Sequence, residues 1–430
     1  MVSVVSLEKK AREVSAFLSE PGWMLDKRLE AVFALQKLKS QREEELRIKR
    51  EAAKKGSLAQ RMAQTVEMSV GANEPEGREE TAAYGSASEY AVPDFEVEKG
   101  TAIVKAKLEG KAMLQKIEQA YAIPEFEKLM RMPLSGKEPE GYLASLALFS
   151  SGNAVFVEAD GGAPSFVSIG IFGAPPQYFC TFILAGKGCN ASVLVKTALS
   201  SDAKECRGLF LSKNSKVHAC FVQENDAGVC ATLGMVARLG EHSQLKFLNS
   251  NIGGSEKHDG FLFLQDERGS SCEHFEASLA KGRQKYYKDS DHLHIAPDTY
   301  SRSVFKYATA DNSIVDVEGK VTIEQTAPGS DTHLLARSLL LSEHSILKVV
   351  PMLFVRNAEV AAGHGSAMTP LQDEELFYLR SRGIGENESK LLVLQGFLQD
   401  ALNKSGMDPK MLTQLEQDLD ENALSVFPRD

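Results

Sequence analysis

Histidine and cysteine are the residue types in this chain that could bind a metal or act as a nucleophile. His364 stands between Gly363 and Gly365, and an imidazole is a good ligand for iron that titrates near neutral pH. His292 and His294 are two residues apart, so both would lie on one face of a strand. For His364 a simple hydrogen bond at a strand end is the alternative, for His294 it is a place in a turn, and the sequence leaves these interpretations open.

The six cysteines lie in the central third of the chain, and none is spaced as C-x-x-C. A self-contained zinc or iron–sulfur motif is therefore not predicted, and small buried side chains are the simpler interpretation. Cys272 has the most reactive neighbourhood, because His274 would share its face in an extended strand and an imidazolium favours thiolate. The six are Cys180, Cys189, Cys206, Cys220, Cys230 and Cys272.

Composition and missing motifs argue against several classes of function. The 430 residues carry a formal net charge of −10, and binding to nucleic acid relies on a basic surface. The chain has no G-x-S-x-G, no G-x-x-x-x-G-K-[ST] and no H-E-x-x-H, so we expect a non-catalytic protein that leaves any ATP to another subunit. It also has no apolar run of about 18 residues and no export signal, which predicts a cytoplasmic protein without a membrane span.

The spacing of apolar residues divides the chain into three regions. Residues 1–140 are predicted to be helical up to about Lys55 and again from about Gly100 to Met130, with a flexible linker near 56–98 that is rich in Gly, Ser, Ala and Glu. Residues 141–370 contain many short strands separated by turn residues, a pattern that suits a sandwich, a barrel or a stacked β-helix. Residues 371–430 return to amphipathic helix.

A string near the end of the chain is specific enough to suggest a family. Residues 375–384 read ELFYLRSRGI, they follow HGSA at residues 364–367, and the next helix is predicted to end at Gly396-Phe397. This arrangement resembles the C-terminal signature of the SufB/SufD family of iron–sulfur cluster assembly scaffolds. Further resemblances lie at His294 with residues 298–301, at residues 338–342 before Pro351, and at residues 20–25.

The resemblance implies a fold and a function. The fold would be mainly β, a right-handed parallel β-helix core flanked by α-helical N- and C-terminal regions. The function would be that of a scaffold subunit in the Suf complex, and SufB-type chains carry a cysteine nine residues before the histidine and a glutamate beside it. Here Val355 and two glycines stand at those places, which favours the SufD type. A thiolate is the expected nucleophile and soft ligand in cluster chemistry, and valine supplies none.

The resemblance also implies partners and residues. His364 would lie at the contact with a SufB-type paralogue and would bind a transient iron–sulfur cluster shared with it. A SufC-type ATPase would dock on the helical part from about Arg382 to Leu424, and Arg380, Arg382, Leu391 and Phe397 are the predicted interface residues. The apolar faces with Leu391, Phe397 and Leu415 are expected to be surplus to the core. Whether the chain pairs with a paralogue or with itself, and whether it binds FAD, stays open.

A β-helix enzyme that acts on carbohydrate is the alternative function from a different class. Such enzymes usually carry clustered acidic or basic residues on one face of the solenoid. They are also commonly exported, and the sequence has neither signal.

Overall fold

Eighteen strands and eight helices make up the part of the chain that the computed structural model describes, residues 4–67 and 103–428. The N-terminal elements are α1 (Val4–Phe17), α2 (Gly22–Glu67), β1 (Ile103–Glu109), β2 (Ala112–Lys116), α3 (Ile117–Ala120), α4 (Pro124–Met130) and α5 (Glu140–Leu148). The chain ends with α6 (Asp373–Ser381), α7 (Glu386–Ser405) and α8 (Pro409–Leu424). Among the helices described, none is long and apolar enough to cross a bilayer.

Between these helical regions the chain winds into a parallel β-solenoid of about eight turns. Sheet A contains β1 and the even-numbered strands from β4 to β18, and sheet B contains β2 and the odd-numbered strands from β3 to β17. The strands of the solenoid are β3 (Ser151–Val157), β4 (Ser165–Gly173), β5 (Tyr178–Ala185), β6 (Asn190–Leu199), β7 (Ala203–Leu211), β8 (Lys216–Asn225), β9 (Cys230–Leu239), β10 (Gln244–Gly253), β11 (Glu256–Gln265), β12 (Ser271–Ala280), β13 (Lys285–His294), β14 (Tyr300–Thr309), β15 (Ile314–Ile323), β16 (Asp331–Leu340), β17 (Ile346–Val355) and β18 (Ala361–Pro370). The predicted β-helix with flanking helices is therefore confirmed.

One corner of each successive turn is set by a residue in the left-handed backbone conformation. Asn214, His242 and Asp298 have φ angles of 58°, 55° and 58°, and Gly269 and Gly329 occupy the same corner in other turns. Each of these residues donates its backbone N–H to a carbonyl of the next turn, as Asp298 does to Pro328 at 2.9 Å. Because Gly and Asn or Asp tolerate this conformation best, the scattered turn residues of the sequence mark the corners.

The strands bury side chains on both faces. Alternate side chains fill the lumen between the two sheets, and the others point outwards, where helices cover them. On sheet B the outer face packs against α2, α4 and α5. On sheet A the outer face of β10, β12 and β14 packs against α7 and α8. The sequence therefore shows near-continuous apolar strands in the middle of the solenoid.

Two details of the N-terminal region differ from the sequence prediction. The helix predicted from Gly100 is wrong for residues 103–116, which form β1 and β2. In β1 the apolar Val104, Ala106 and Leu108 alternate with charged residues, and this two-residue period is typical of a strand. The predicted linker also starts too early, because α2 continues to Glu67 through residues of good helix propensity. Its remainder, from residue 68, lies outside the described residues.

A buried ion pair connects the N-terminal helices to the solenoid. Arg28 and Glu20 are both fully buried, and Arg28 Nε donates to Glu20 Oε2 at 2.7 Å. The guanidinium also donates to the carbonyls of Ala147 and Phe149, at 3.1 and 3.0 Å. The Tyr121 hydroxyl donates to the same carboxylate. The pair therefore joins α2 to the start of the first solenoid turn.

Arg28→Met should destabilise the protein by about 3–5 kcal/mol, because it leaves the Glu20 carboxylate buried without its counter-charge. Urea unfolding of the full chain measures this change. The matched control is Arg12→Met, which removes an exposed pair with Glu8 and should cost about 1 kcal/mol or less. Equal effects of the two substitutions would contradict the structural role of the buried pair.

Candidate partner interface

The C-terminal end of the solenoid leaves two sheet edges open. β18 is the last strand of sheet A and β17 is the last strand of sheet B, and no described strand pairs with their outer sides. Both strands expose large apolar side chains: Phe354 is 49% exposed and Met368 is 48% exposed, and Ile346 and Val355 are also exposed. Open edges with apolar side chains pair readily with another chain. The geometry of this end therefore favours a protein interface.

His364 lies on the lumen side of this open end. It is in register with Leu334 of β16, which is buried in the lumen, and in-register residues of parallel strands share a face. Since β18 is the last described strand of its sheet, no turn in the described part of the chain covers His364, and its side chain is exposed. Val355 ends β17 and lies in the same final turn. The structure thus places His364 at the edge where a partner would add the next turn.

This chain alone offers too few ligands for a metal or cluster at that edge. Among the described residues no three His, Cys, Asp or Glu side chains are grouped so that they could hold a metal ion. His364 can supply one imidazole, while Val355, at the end of the neighbouring strand, supplies no ligand atom. Among the described residues, His364 is therefore the one ligand that this edge offers to a cluster.

The other cysteine and histidine candidates are structural. Five cysteines are buried and Cys230 is exposed. Burial, and then the charge of Glu273, raise the pKa of Cys272 well above its ordinary value, so this thiol stays protonated. His274 does share the lumen face with Cys272, but its Nε2 makes a 2.6 Å hydrogen bond with Glu276. The interpretation of small buried side chains holds for the five buried cysteines.

His292 and His294 both point into the lumen, as the spacing predicts, but they do not form a metal pair with a third ligand among the described residues. His294 Nδ1 and Nε2 contact the hydroxyls of Thr299 and Ser301 at 2.7 and 2.8 Å. These contacts fix the corner that contains Asp298. These contacts agree with the interpretation of His294 as part of the turn.

A second candidate surface lies on α6, directly after the solenoid. Phe377 is 75% exposed and its neighbour Tyr378 is 58% exposed. Arg382 lies over the Tyr378 ring, 5.3 Å from its centroid, and Arg380 Nη1 is 3.9 Å from Glu386 Oε2. Two exposed aromatic rings beside two arginines are the residue types enriched in protein interfaces. Phe377 was not among the predicted interface residues, although it stands in the ELFYLRSRGI string.

The expectation that the C-terminal helices carry surplus apolar faces is wrong for Leu391 and Leu415. Leu391 is 1% exposed and Leu415 is fully buried, and both belong to the cluster that covers the outer face of β10, β12 and β14. Phe397 is partly buried, and Lys306 Nζ lies 4.4 Å from the centroid of its ring. The apolar helix faces that suggested a docking site instead pack against the outer face of sheet A within the chain, because that face is apolar as well.

Comparison with known proteins agrees with this architecture. A sequence model described as "SUF system FeS cluster assembly, SufBD core domain" matches residues 175–397, which is just over half of the chain. Two proteins named as iron–sulfur cluster assembly SufBD family proteins, from Mycobacterium leprae and Mycobacterium tuberculosis, are 37% and 38% identical over 122 residues. These matches cover 26% of this chain, and 31% and 30% of those proteins.

A longer match extends to about half of the chain. Another protein of the same description from Mycobacterium tuberculosis is 22% identical over 233 residues, which are 54% of this chain and 27% of that protein. The matched segments thus span less than a third of each of these relatives. The family model covers the solenoid from β5 onwards together with α6 and part of α7. This chain belongs to the SufBD family of iron–sulfur cluster assembly proteins.

Proposed function

We propose that this chain is a SufD-type scaffold subunit that pairs with a SufB-type paralogue through the open end of its solenoid and acts without catalysis of its own. The observation that carries the proposal is the pair of open edges, β17 and β18, with His364 on the lumen side between exposed apolar residues. A partner that adds its own edges there would bury Phe354 and Met368 and bring its ligands next to His364.

The proposed roles of the two subunits follow from the ligands that Val355 and His364 can and cannot supply. Val355 has no thiolate to carry sulfur or hold iron, and His364 is one ligand at most. In this proposal the iron–sulfur cluster is the cargo of the pair, and the partner supplies the cysteine. A second copy of this chain would bring a second Val355 to the interface. The SufD-type pairing with a different chain is therefore favoured over a homodimer.

A SufC-type ATPase is the second proposed partner. The exposed aromatic pair Phe377 and Tyr378, with Arg380 and Arg382, offers it a docking surface on α6. α7 contacts α6, and α7 and α8 pack on the solenoid, so a movement of α6 would be transmitted to β10, β12 and β14. In this assignment the three regions, 1–140, 141–370 and 371–430, serve as N-terminal support, scaffold core and ATPase attachment, all in the cytoplasm. The SufBD family assignment does not favour the carbohydrate-active enzyme.

Co-expression with candidate partners tests this proposal. The chain is expressed with SufB-type and SufC-type proteins, purified under anaerobic conditions through a tag on this chain, and weighed by native mass spectrometry. We expect complexes that contain one copy of this chain, one SufB-type chain and the ATPase. Recovery of this chain alone, or only as a homodimer, would contradict the proposed pairing.

A further inference from the structure

The lumen of the solenoid is interrupted by charged side chains. Two separate apolar clusters fill it: one runs from Val155 to Cys272, and the other from Ala280 to Leu347. Between them several ionisable side chains are buried on β11, β12 and β13, and five of these contact one another. We call Asp259, His274, Glu276, Lys288 and His292 the lumen cluster.

The members of the lumen cluster contact one another across the strands. His274 Nε2 bonds Glu276 Oε1 at 2.6 Å, and His274 Nδ1 lies 3.4 Å from His292 Nε2. Lys288 Nζ forms an ion pair with Glu276 and lies 3.9 Å from Asp259 Oδ2. All five side chains are sealed from solvent, so the charges are balanced only within the lumen.

Neighbouring strands supply the remaining polar contacts. Amides from β8 and β10 donate to the two carboxylates, among them Asn249 to Glu276 at 3.0 Å and Asn251 to Asp259 at 2.8 Å. The hydroxyl of Ser303 on β14 lies 3.1 Å from His292 Nε2. The further ionisable groups that act on the cluster are Lys257 on β11, Tyr286 and His294 on β13, and Tyr307 on β14. In the part of the chain that is described, His292 Nδ1 has no hydrogen-bond partner.

A solenoid is stabilised mainly by contacts between neighbouring turns. A turn whose contacts depend on charge balance should therefore open more readily than the others when that balance changes. The two apolar clusters do not depend on pH, whereas the contacts between them do. We propose that the turns that carry the lumen cluster form an acid-sensitive joint, at which the C-terminal turns loosen from the N-terminal turns when the cluster takes up protons.

The direction of the pH effect follows from the histidines. Burial lowers the pKa of His274, and burial together with the charges of His274 and His294 lowers the pKa of His292 well below its ordinary value. Above about pH 6.5 these histidines are neutral in both the folded and the unfolded chain, so their contribution to stability is complete. As the pH falls below that value, the unfolded segment binds protons that the folded one excludes. Each histidine then raises the equilibrium constant for opening about tenfold for each pH unit of decrease.

The position of the joint links it to the C-terminal helices. Phe275 and Ala277 alternate with the cluster residues of β12 and point to the opposite face, where they pack against α7 and α8. β12 therefore holds part of the cluster on its inner face and these helices on its outer face. A partner bound to the helices would act on the joint, and this last step rests on the proposed function. The joint itself does not.

Hydrogen exchange of the isolated full chain, followed by mass spectrometry at pH 7.5 and pH 5.5, tests the joint. After correction for the intrinsic exchange rate, we expect the amides of β11–β14 to lose about 100-fold or more in protection, because His274 and His292 each exclude a proton and His294, whose pKa burial lowers to about 4, adds to the effect. The amides of β4–β6, whose lumen side chains are not ionisable, should lose less than about tenfold in the same experiment. An equal loss in both groups, or no loss in β11–β14, would overturn the proposal.

A matched pair of variants assigns the effect to the cluster. His292→Phe keeps a ring that stacks on Phe263, whose centroid is 4.4 Å away, and removes one site of protonation. The loss of protection in β11–β14 should shrink about tenfold in this variant. His333→Phe, at an exposed position of β16, should leave the loss unchanged. An undiminished loss in His292→Phe would overturn the proposal, and the wild-type measurement decides it if this variant does not fold.

Discussion

Phe354→Glu together with Met368→Glu should abolish pairing with a SufB-type chain, with a dissociation constant raised about 100-fold or more. Both side chains are about half exposed on the open edges β17 and β18, and the proposed pairing buries them. A carboxylate buried in such an interface loses its hydration without gaining a partner. Titration of labelled SufB-type chain with each variant, followed by analytical ultracentrifugation, measures the change.

The control for this experiment lies at the opposite end of the solenoid. Val104 is an exposed apolar residue on β1, which is the other edge strand of sheet A. Val104→Glu introduces the same charge and should leave the dissociation constant within about threefold of the wild type. If Val104→Glu weakened pairing as much as the double variant, the pairing surface would not be the C-terminal end.

Phe377→Ala should weaken ATPase binding about 30-fold, which corresponds to about 2 kcal/mol for the loss of an aromatic anchor. Phe377 is 75% exposed, so its removal should not alter the stability of the chain itself. Binding of a SufC-type ATPase to the immobilised chain, with and without nucleotide, measures the effect. Arg382→Ala should weaken binding less, since Arg382 already lies over the ring of Tyr378 within the chain.

Phe33→Ala is the matched control for the ATPase experiment. Phe33 is an exposed phenylalanine on α2, in the N-terminal helices. Its removal should leave ATPase binding unchanged, because α2 packs on α5, which covers sheet B, whereas α6 follows the last strand of sheet A. An ATPase that binds Phe377→Ala with wild-type affinity would show that α6 is not its docking surface.

The sequence predicts the class of fold because each strand carries its own local signals. Short apolar runs such as β9 and β10 are bounded by turn residues, and His242 lies at the corner between these two strands. Those signals do not distinguish a sandwich or a barrel from a solenoid, because each fold uses short strands and tight turns. The choice came from the resemblance, and it is confirmed by the in-register parallel pairing of strands two apart.

The sequence could not predict which polar residues lie inside the lumen. His274 and Glu276 alternate with Phe275 and Ala277, and without the sheet order either set could face solvent. The structure shows that both sets are buried, because α7 and α8 cover the outer one. For the same reason Leu391 was expected at a partner surface, although its apolar face packs inside the chain.

The motif identifies His364, but it does not predict where in the fold His364 lies. The flanking glycines and the following ELFYLRSRGI string identify the position, while the exposure of His364 depends on the absence of a further solenoid turn among the described residues. Its role as a cluster ligand stays a prediction. The structure contributes the edge at which a second chain can complete the ligand set.

Anaerobic measurement of iron and sulfide tests the central claim most directly. The isolated chain, its pair with a SufB-type partner, and the same pair with His364→Ala are reconstituted and compared. We expect little or no cluster on the isolated chain, a cluster on the pair, and a pair of normal stoichiometry but reduced cluster content with His364→Ala, since a methyl group cannot replace a ligand. A stoichiometric cluster on the isolated wild-type chain, or an undiminished cluster in the His364→Ala pair, would contradict the account.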